Sequence, residues 1–248
     1  MKRSLRNLKD YTVETQDGQK GKVKDFLFDE DRWIIRYLDV DFGSWMKDKR
    51  VLIPRVFLEK PDWENKNFPV KLDNDLIDKC PTLDEKAPVS REFEEKLNMY
   101  YQNEYYWMYS YSLPMGNYAF FPSRPLNVPT KQISEDDIET KLRSFKEIKG
   151  YTINASDDKL GHVEDIIVDD IDWQLVYLVV DTSNWRPWSK KVLISVTWLT
   201  DISYALMEVS VDLHTETIKN APEFDAGHPV DVEYEKNLFG HYEKDKKE

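Results

Sequence analysis

The chain has 248 residues, of which 40% are hydrophobic, 33% charged and 13% aromatic, a balance that excludes a disordered tail, a collagen-like fibre and a membrane-embedded bundle. Its 35 Lys and Arg residues face 47 Asp and Glu residues, and the net charge of -12 predicts no nucleic-acid partner, because phosphate binding needs a basic surface. Cys80 is the single cysteine, and no run of about 18 apolar residues occurs, so we expect a cytoplasmic protein without disulfides or a membrane span.

An internal repeat organises the chain. Leu8–Val13 recurs as Ile148–Ile153 about 140 positions later, and the register then holds through most of both copies, with one residue inserted in the second. The matches include rare residues, such as Trp33 with Trp173 and Pro81 with Pro222. The repeat predicts two homologous domains with a connector between them and a charged tail, at residues 1–101, 144–243, 102–143 and 244–248, respectively.

Each copy begins with short strands separated by tight turns. The β-favouring runs of the first copy are 11–15, 21–28, 33–41, 50–53 and 69–72, and those of the second are 151–155, 161–168, 173–181, 191–194 and 208–213. Since no long helices are interleaved, this order favours a small barrel or sandwich over a parallel sheet. The run 173–181 is apolar on both faces and therefore needs cover on both sides.

Each copy ends with helical patterns. A short helix is predicted at 74–79 and at 214–220, before Pro81 and Pro222. A longer helix is predicted to start at Ser90 or at Asp231, both good N-caps. Its apolar stripe is expected to pack on its own barrel and consists of Phe93, Leu97 and Tyr101 in the first copy and Tyr234, Leu238 and Tyr242 in the second.

The connector is rich in aromatic residues and contains several prolines. Such rings suit half-wet protein contacts, but they also suit an internal seal between the two barrels, which we favour because a large exposed patch risks aggregation. A loop between two strands of the second copy adds two tryptophans. The candidate partner-binding residues are Tyr105, Tyr106, Trp107, Tyr109, Tyr111, Trp185 and Trp188. Ser134–Asp137 has the form of a capping box, with Ile138, Leu142 and Phe145 at helical spacing, and predicts a short helix before the second domain.

Acidic turns follow the second β-favouring run of each copy, between residues 21–28 and 33–41 and between 161–168 and 173–181. Clustered carboxylates can hold a hard cation such as Ca²⁺, although Asp is also favoured in turns by local hydrogen bonding, and an EF-hand pattern is absent. We favour the turn role and expect no cofactor. The weak metal-binding candidates are Asp29, Asp31, Asp169, Asp170 and Asp172.

Asp25 and Asp165 recur inside strands, where Asp is depleted. Such a carboxylate can accept hydrogen bonds and lock a barrel corner, or it can line a proton-conducting surface. We favour the lock.

No residue set for catalysis is apparent. The four histidines all lie in the second copy without metal-ligand spacing, and Cys80 has no histidine in its own copy. Nucleophile-elbow, P-loop and dinucleotide-binding patterns do not occur. We therefore expect that the protein is not an enzyme.

The motifs of the second copy resemble the PRC-barrel family, and the first copy repeats them. The segments that carry the likeness are Gly150–Ile153, Leu160–Asp165, Trp173–Asp181, Lys191–Ile194 and Ile218–Glu223. The family is named after the cytoplasmic domain of the photosynthetic reaction-centre H subunit, and a similar barrel ends the RimM-type ribosome-maturation factors. The resemblance implies a mainly β protein of two small, six-stranded, partly open barrels that hold other proteins and share no family-wide catalytic residues.

The chain also departs from both named relatives. The reaction-centre subunit has an N-terminal membrane helix, and we expect none in this protein. A ribosome factor carries another type of barrel where this chain has a second PRC-like copy. The tandem arrangement is similar to that of bacterial members of the family. We therefore expect a non-catalytic adaptor that binds a protein partner or a second copy of itself. A module for a small ligand or a cation is one alternative, and a role in ribosome maturation is another.

Overall fold

The computed structural model describes residues 1–43, 50–82, 89–109, 140–182, 190–228 and 230–245. The strands of the first copy are β1 (Lys2–Ser4), β2 (Thr12–Glu14), β3 (Lys20–Asp29), β4 (Ile34–Asp41), β5 (Arg50–Pro54) and β6 (Asn67–Pro69). Its helices are α1 (Leu5–Leu8), α2 (Asn74–Lys79) and α3 (Arg91–Tyr101), with 3-10 turns at Arg55–Phe57 and Tyr106–Tyr109.

The second copy repeats this order with one additional strand. Its strands are β7 (Leu142–Ser144), β8 (Thr152–Asn154), β9 (Lys159–Asp169), β10 (Leu175–Asp181), β11 (Lys191–Ser195), β12 (Leu199–Ser203) and β13 (Glu208–Val211). Its helices are α4 (Phe145–Ile148), α5 (Thr215–Asn220) and α6 (Val232–Asp245), with a 3-10 turn at Val196–Trp198. The prediction of a duplicated, mainly β chain with closing helices is confirmed.

The strands form two sheets with the same internal order. One sheet runs β5-β4-β3-β2-β6, and the other runs β11-β10-β9-β8-β13-β12. The pairs β2–β6 and β8–β13 are parallel, whereas the remaining pairs are antiparallel. Among the described residues the strand pairing of each sheet is open, since its two end strands do not pair with each other.

The first short strand of each copy belongs to the other copy's sheet. Strand β1 pairs with β9, with Arg3 opposite Val168. Strand β7 pairs with β3, with Arg143 opposite Phe28. The two predicted domains are therefore not separate β units, because each sheet is completed by a strand from the other half of the chain.

The two copies also contact each other at the beginning of β4 and β10. The Ile35 amide donates to the Trp173 carbonyl over 3.1 Å, and the Leu175 amide donates to the Trp33 carbonyl over 2.6 Å. Both tryptophans have positive φ angles, 55° at Trp33 and 63° at Trp173, which turn the backbone into this crossing. The bonds are related by the same offset as the sequence repeat, so the two halves lie about a local two-fold axis.

The core follows the predicted pattern. In β10 every side chain except that of Val176 and the terminal Asp181 is buried, which agrees with the expectation of cover on both faces. Leu97 and Tyr101 on α3 and Leu238 and Tyr242 on α6 are also buried. The Tyr242 hydroxyl donates to the Leu193 carbonyl of its own copy over 3.1 Å.

The helix predicted before the second domain is wrong over its described end. Ser134–Asp137 and Ile138 lie outside the described residues, but Leu142 is in strand β7, and Phe145 begins the separate helix α4. Ser144 caps α4 by accepting from the Glu147 amide. Pairing with β3 therefore outweighed the helical spacing of these apolar residues.

Candidate functional site: the exchanged segments and the aromatic cluster

The recurrent strand aspartates fasten the exchanged segments, which we define as β1 with α1 (residues 2–8) and β7 with α4 (residues 142–148). The buried Asp165 carboxylate accepts from the Ser4 hydroxyl and, over 3.0 Å, from the Arg6 amide. In the other copy, Asp25 accepts from the Ser144 hydroxyl and, over 3.1 Å, from the Lys146 amide. The aspartates therefore act as acceptors, as predicted, but what they lock is the junction between the two copies.

Burial dominates the electrostatics of these two carboxylates. Desolvation raises the pKa of Asp25 and of Asp165, while the serine and backbone donors partly offset this effect. Each serine also caps a helix, since Ser4 accepts from the Asn7 amide. One carboxylate thus aligns a strand end and a helix start in the same exchanged segment.

A second contact binds the arginine of each exchanged strand. Arg3 donates to Asp170 over 2.6 Å, and Arg143 donates to Glu30 over 2.9 Å. Each guanidinium also lies over an aromatic ring of its own copy, with Arg3 3.7 Å from the Trp63 ring centre and Arg143 4.0 Å from that of Tyr204. The Tyr204 hydroxyl donates to Glu30.

A glutamate on the last helix of each copy provides a third contact. Glu94 on α3 accepts from the Thr140 hydroxyl, two residues before β7, over 2.5 Å. Glu235 on α6 forms an ion pair with Lys2 of β1 over 3.0 Å and accepts from the Tyr177 hydroxyl. Glu94 is fully buried, and its desolvation raises its pKa despite an ion pair with Arg91 at 3.2 Å.

The aromatic residues that follow α3 form a cluster on the first copy. The Tyr106 hydroxyl donates to Glu94 over 2.8 Å, and its ring packs against that of Tyr37. Trp107 packs on the Tyr105 ring at 4.9 Å and lies under the Arg91 guanidinium. We call the three residues Tyr105, Tyr106 and Trp107 the aromatic cluster; all three side chains are half-buried.

Of the remaining partner-binding candidates, Tyr109 alone lies within the described residues. Tyr109 ends the 3-10 turn that begins at Tyr106. Tyr111, Trp185 and Trp188 lie outside the described residues.

The acidic turns hold backbone amides and ion pairs. Asp29 is buried, binds Arg36 over 2.8 Å and accepts from the Asp31 amide. Three more candidates fall at the other turn: Asp169 accepts from the Ile171 amide, Asp170 binds Arg3 and the N-terminal amine, and Asp172 accepts from the Gln174 amide. Among the residues that the structure describes, no group of three or more His, Cys, Asp and Glu side chains is placed to hold a metal ion.

Cys80 and the histidines lie in unrelated places. Cys80 is buried and accepts from the Tyr101 hydroxyl over 3.2 Å. His228 contacts Asp225 at an exposed turn, and His241 contacts the Thr217 carbonyl.

An open groove of about 460 Å³ lies along the start of β3 and the end of β4, and is lined by Thr12, Lys20, Gly21, Lys22, Asp41, Phe42 and Gly43.

The donors of the exchanged segments were missed in the sequence analysis, although the signal was present. Arg3-Ser4-Leu5 and Arg143-Ser144-Phe145 are separated by the same offset as the rest of the repeat. The offset alone marks them as part of the duplicated unit. It could not show that each segment crosses to the other copy, because residues that cross and residues that stay have the same spacing.

Comparison with known families agrees with this architecture. The PRC-barrel domain family matches residues 2–77 and 141–220, more than half of the chain, and both matches begin at the exchanged strands. The chain belongs to the PRC-barrel family, with two such domains in tandem. No curated protein matches the chain. Among the described residues, no helix combines the length and the apolar character needed to cross a bilayer.

Proposed function

We propose that this protein is a non-catalytic, cytoplasmic adaptor whose paired PRC domains hold a protein partner or a second copy of the chain through the aromatic cluster and the neighbouring connector. The proposal goes beyond family membership, which by itself leaves the activity open. It rests on how the buried charges are used and on where half-buried aromatic side chains lie.

The observation that carries the proposal is the commitment of buried carboxylates to structural donors. The described residues contain five buried acidic side chains, and each accepts a hydrogen bond from a residue in another segment of the chain. These five residues are Asp25, Asp29, Asp39, Glu94 and Asp165. A general acid or base needs a lone pair or proton directed at a substrate. Carboxylates used in this way favour a scaffold over an enzyme.

The aromatic cluster supplies the contact surface for the partner. Tyr105 and Trp107 are half-buried and lie where α3 leads into the aromatic connector. Tyrosine and tryptophan dominate binding energy at protein interfaces because they combine large apolar area with a polar atom. The adjacent Arg91 also suits such a contact, since arginine is enriched at interfaces.

Crosslinking in cells followed by mass spectrometry tests the proposal. The double variant Tyr105→Ala/Trp107→Ala is expected to lose its main crosslinked partner, because one lost hot-spot residue costs about 2 kcal/mol, about 30-fold in affinity. Phe239→Ala removes an exposed aromatic side chain from α6 in the other copy and serves as the control.

Equal crosslinking by the wild-type chain and the double variant, with both folded, would contradict the assignment of the aromatic cluster. A partner composed of ribosomal proteins would redirect the role toward ribosome maturation. A thermal shift with a metal ion or metabolite, without any crosslinked protein, would favour the ligand-binding alternative.

A further inference from the structure

The exchanged segments share one pattern. Each contains Arg-Ser followed by two apolar residues three positions apart, Leu5 and Leu8 in the first copy and Phe145 and Ile148 in the second. All four apolar side chains are at most 2% exposed. The segment therefore reads as Arg-Ser-apolar-x-x-apolar, a three-residue strand followed by one helical turn.

The receiving surfaces are also alike. Each presents a buried aspartate to the serine, Asp165 or Asp25, and a carboxylate to the arginine, Asp170 or Glu30. Each also includes part of a long strand, β9 or β3, whose backbone pairs with the backbone of the segment. Backbone pairing of this kind gives affinity, and the side-chain contacts give specificity.

Every hydrogen bond named here joins the segment to the receiving copy, and the arginine of each segment also lies over an aromatic ring of the copy from which the segment comes. The Asp165 carboxylate contacts the Ser4 hydroxyl and the Arg6 amide, both inside the segment. The two segments and the two surfaces correspond residue by residue. Exchange of an identical element between protomers is a low-cost route to association.

We propose that each PRC domain of this protein is a receptor for an Arg-Ser-apolar-x-x-apolar segment and accepts it in trans from the beginning of a PRC domain in another chain. This inference goes beyond the proposed function, because it concerns the exchanged-strand surfaces and stands even if the aromatic cluster has no partner. Within one chain the two receptors are filled reciprocally. Between chains the same exchange links one molecule to the next.

A labelled peptide tests the receptor directly. The probe is a synthetic peptide with the sequence of residues 1–9, a free amine and a C-terminal fluorophore, measured by anisotropy. The tethered segment competes at an effective concentration of the order of millimolar, so the receiving protein is the full chain with Arg3→Ala/Ser4→Ala, which weakens its own segment. Saturable binding is expected, and a peptide carrying the same two alanines should bind at least about tenfold more weakly.

Two matched variants identify the surface. Adding Asp165→Ala to the receiving protein should abolish binding, whereas adding Asp201→Ala, at an exposed position on β12, should leave it unchanged. No binding of the unaltered peptide to a receiving protein with wild-type circular dichroism would overturn the proposal, and so would equal binding of both peptides.

Disulfide formation between the peptide and the protein provides a second test that does not need the Arg3→Ala/Ser4→Ala variant. Lys2 and Asp169 are opposite each other in the antiparallel pair β1–β9, at a separation that a disulfide can span. In air-equilibrated buffer, where oxygen takes up the two electrons released when the disulfide forms, the full chain with Asp169→Cys should capture the peptide carrying Lys2→Cys at least about tenfold faster than the full chain with Asp201→Cys. Cys80 is present in both proteins and is therefore controlled. Equal capture rates at the two positions would overturn the proposal.

Discussion

At the scale of single residues, Asp165 combines burial with several hydrogen-bond donors. Its side chain is buried, yet it serves a serine hydroxyl and two backbone amides, those of Arg6 and Ile166. Removing a buried acceptor leaves its donors unpaired, which costs more than the bond itself contributes.

Asp165→Ala is therefore expected to lower the free energy of unfolding by about 1 to 3 kcal/mol. The denaturant midpoint at constant slope measures this loss. Asp201→Ala is the control at an exposed strand position, with an expected change within about 0.5 kcal/mol. A midpoint for Asp165→Ala equal to the wild-type value would show that the aspartate does not fasten the exchanged segment.

Glu94 provides a test by pH. Its pKa in the folded protein is raised by burial above the ordinary value of 4.5, so the native state holds more protons than the unfolded state between these two pKa values. Stability from this group is thus greatest when it is protonated and falls as the pH rises through that window. Glu94→Gln removes the titration but keeps an acceptor for Thr140 and Tyr106.

The stability of the wild-type chain relative to Glu94→Gln should accordingly decrease as the pH rises from about 4.5 toward neutrality. Urea midpoints of both proteins across this range give the difference. Glu92→Gln, on the exposed face of the same helix, should show no such decrease. A difference between wild type and Glu94→Gln that is independent of pH would contradict the burial argument.

At the scale of elements, the exchanged strands and the long strands that receive them depend on each other. Strands of three residues, such as β1 and β7, are too short to be stable alone and form because a neighbouring edge and a carboxylate fix them. The long strand β9 in turn changes register against β8 between Thr152 and Ile153, whose partners His162 and Leu160 lie on either side of Gly161. Gly161 has φ +57°, and a Cβ there would lie 1.9 Å from the Asp181 carbonyl oxygen.

Gly161→Ala should consequently be among the costly single substitutions, with a loss of more than about 2 kcal/mol, because backbone atoms of β10 must move. Gly18→Ala is the matched control, since Gly18 also has a positive φ but no atom within 4 Å of the added Cβ. Its expected cost is about 1 kcal/mol, from backbone conformation alone. Thermal or denaturant unfolding of both variants measures the two losses. Equal losses would show that the close approach to Asp181 is absent in solution.

At the scale of the whole molecule, the exchange makes the two domains one unit. Neither sheet is complete without a strand from the other half, and the central strands are hydrogen-bonded at Trp33 and Trp173. Coupling of this kind favours a single cooperative transition over separate unfolding of each domain.

Calorimetry is expected to show one transition, with a calorimetric enthalpy equal to the van't Hoff enthalpy. Val180→Ala, a fully buried change in the second copy, should move that single transition to lower temperature without splitting it. Two resolved transitions, of which only one responds to the substitution, would show that the domains unfold independently.

The amino-acid sequence was sufficient to predict the duplication, the mainly β class, most strand and helix positions and the recurrence of two strand aspartates. These features depend on local chemistry: Trp and Pro at a fixed offset, apolar runs between turns, and caps such as Ser90 and Asp231. These signals come from neighbouring residues or from a regular spacing, so they can be identified in the sequence alone.

The pairing of the first strand of each copy, and the groups that Asp25 and Asp165 bind, could be found only from the fold. The partners Ser4 and Asp165 are 161 positions apart, and a segment of three residues carries too little pattern to specify its own partner. Because both copies present equivalent edges and carboxylates, the sequence allows pairing within a copy as well as pairing between copies. The fold of the whole chain determines whether the first strand pairs within its copy or with the other copy. In this structure it pairs with the other copy and so joins the two domains.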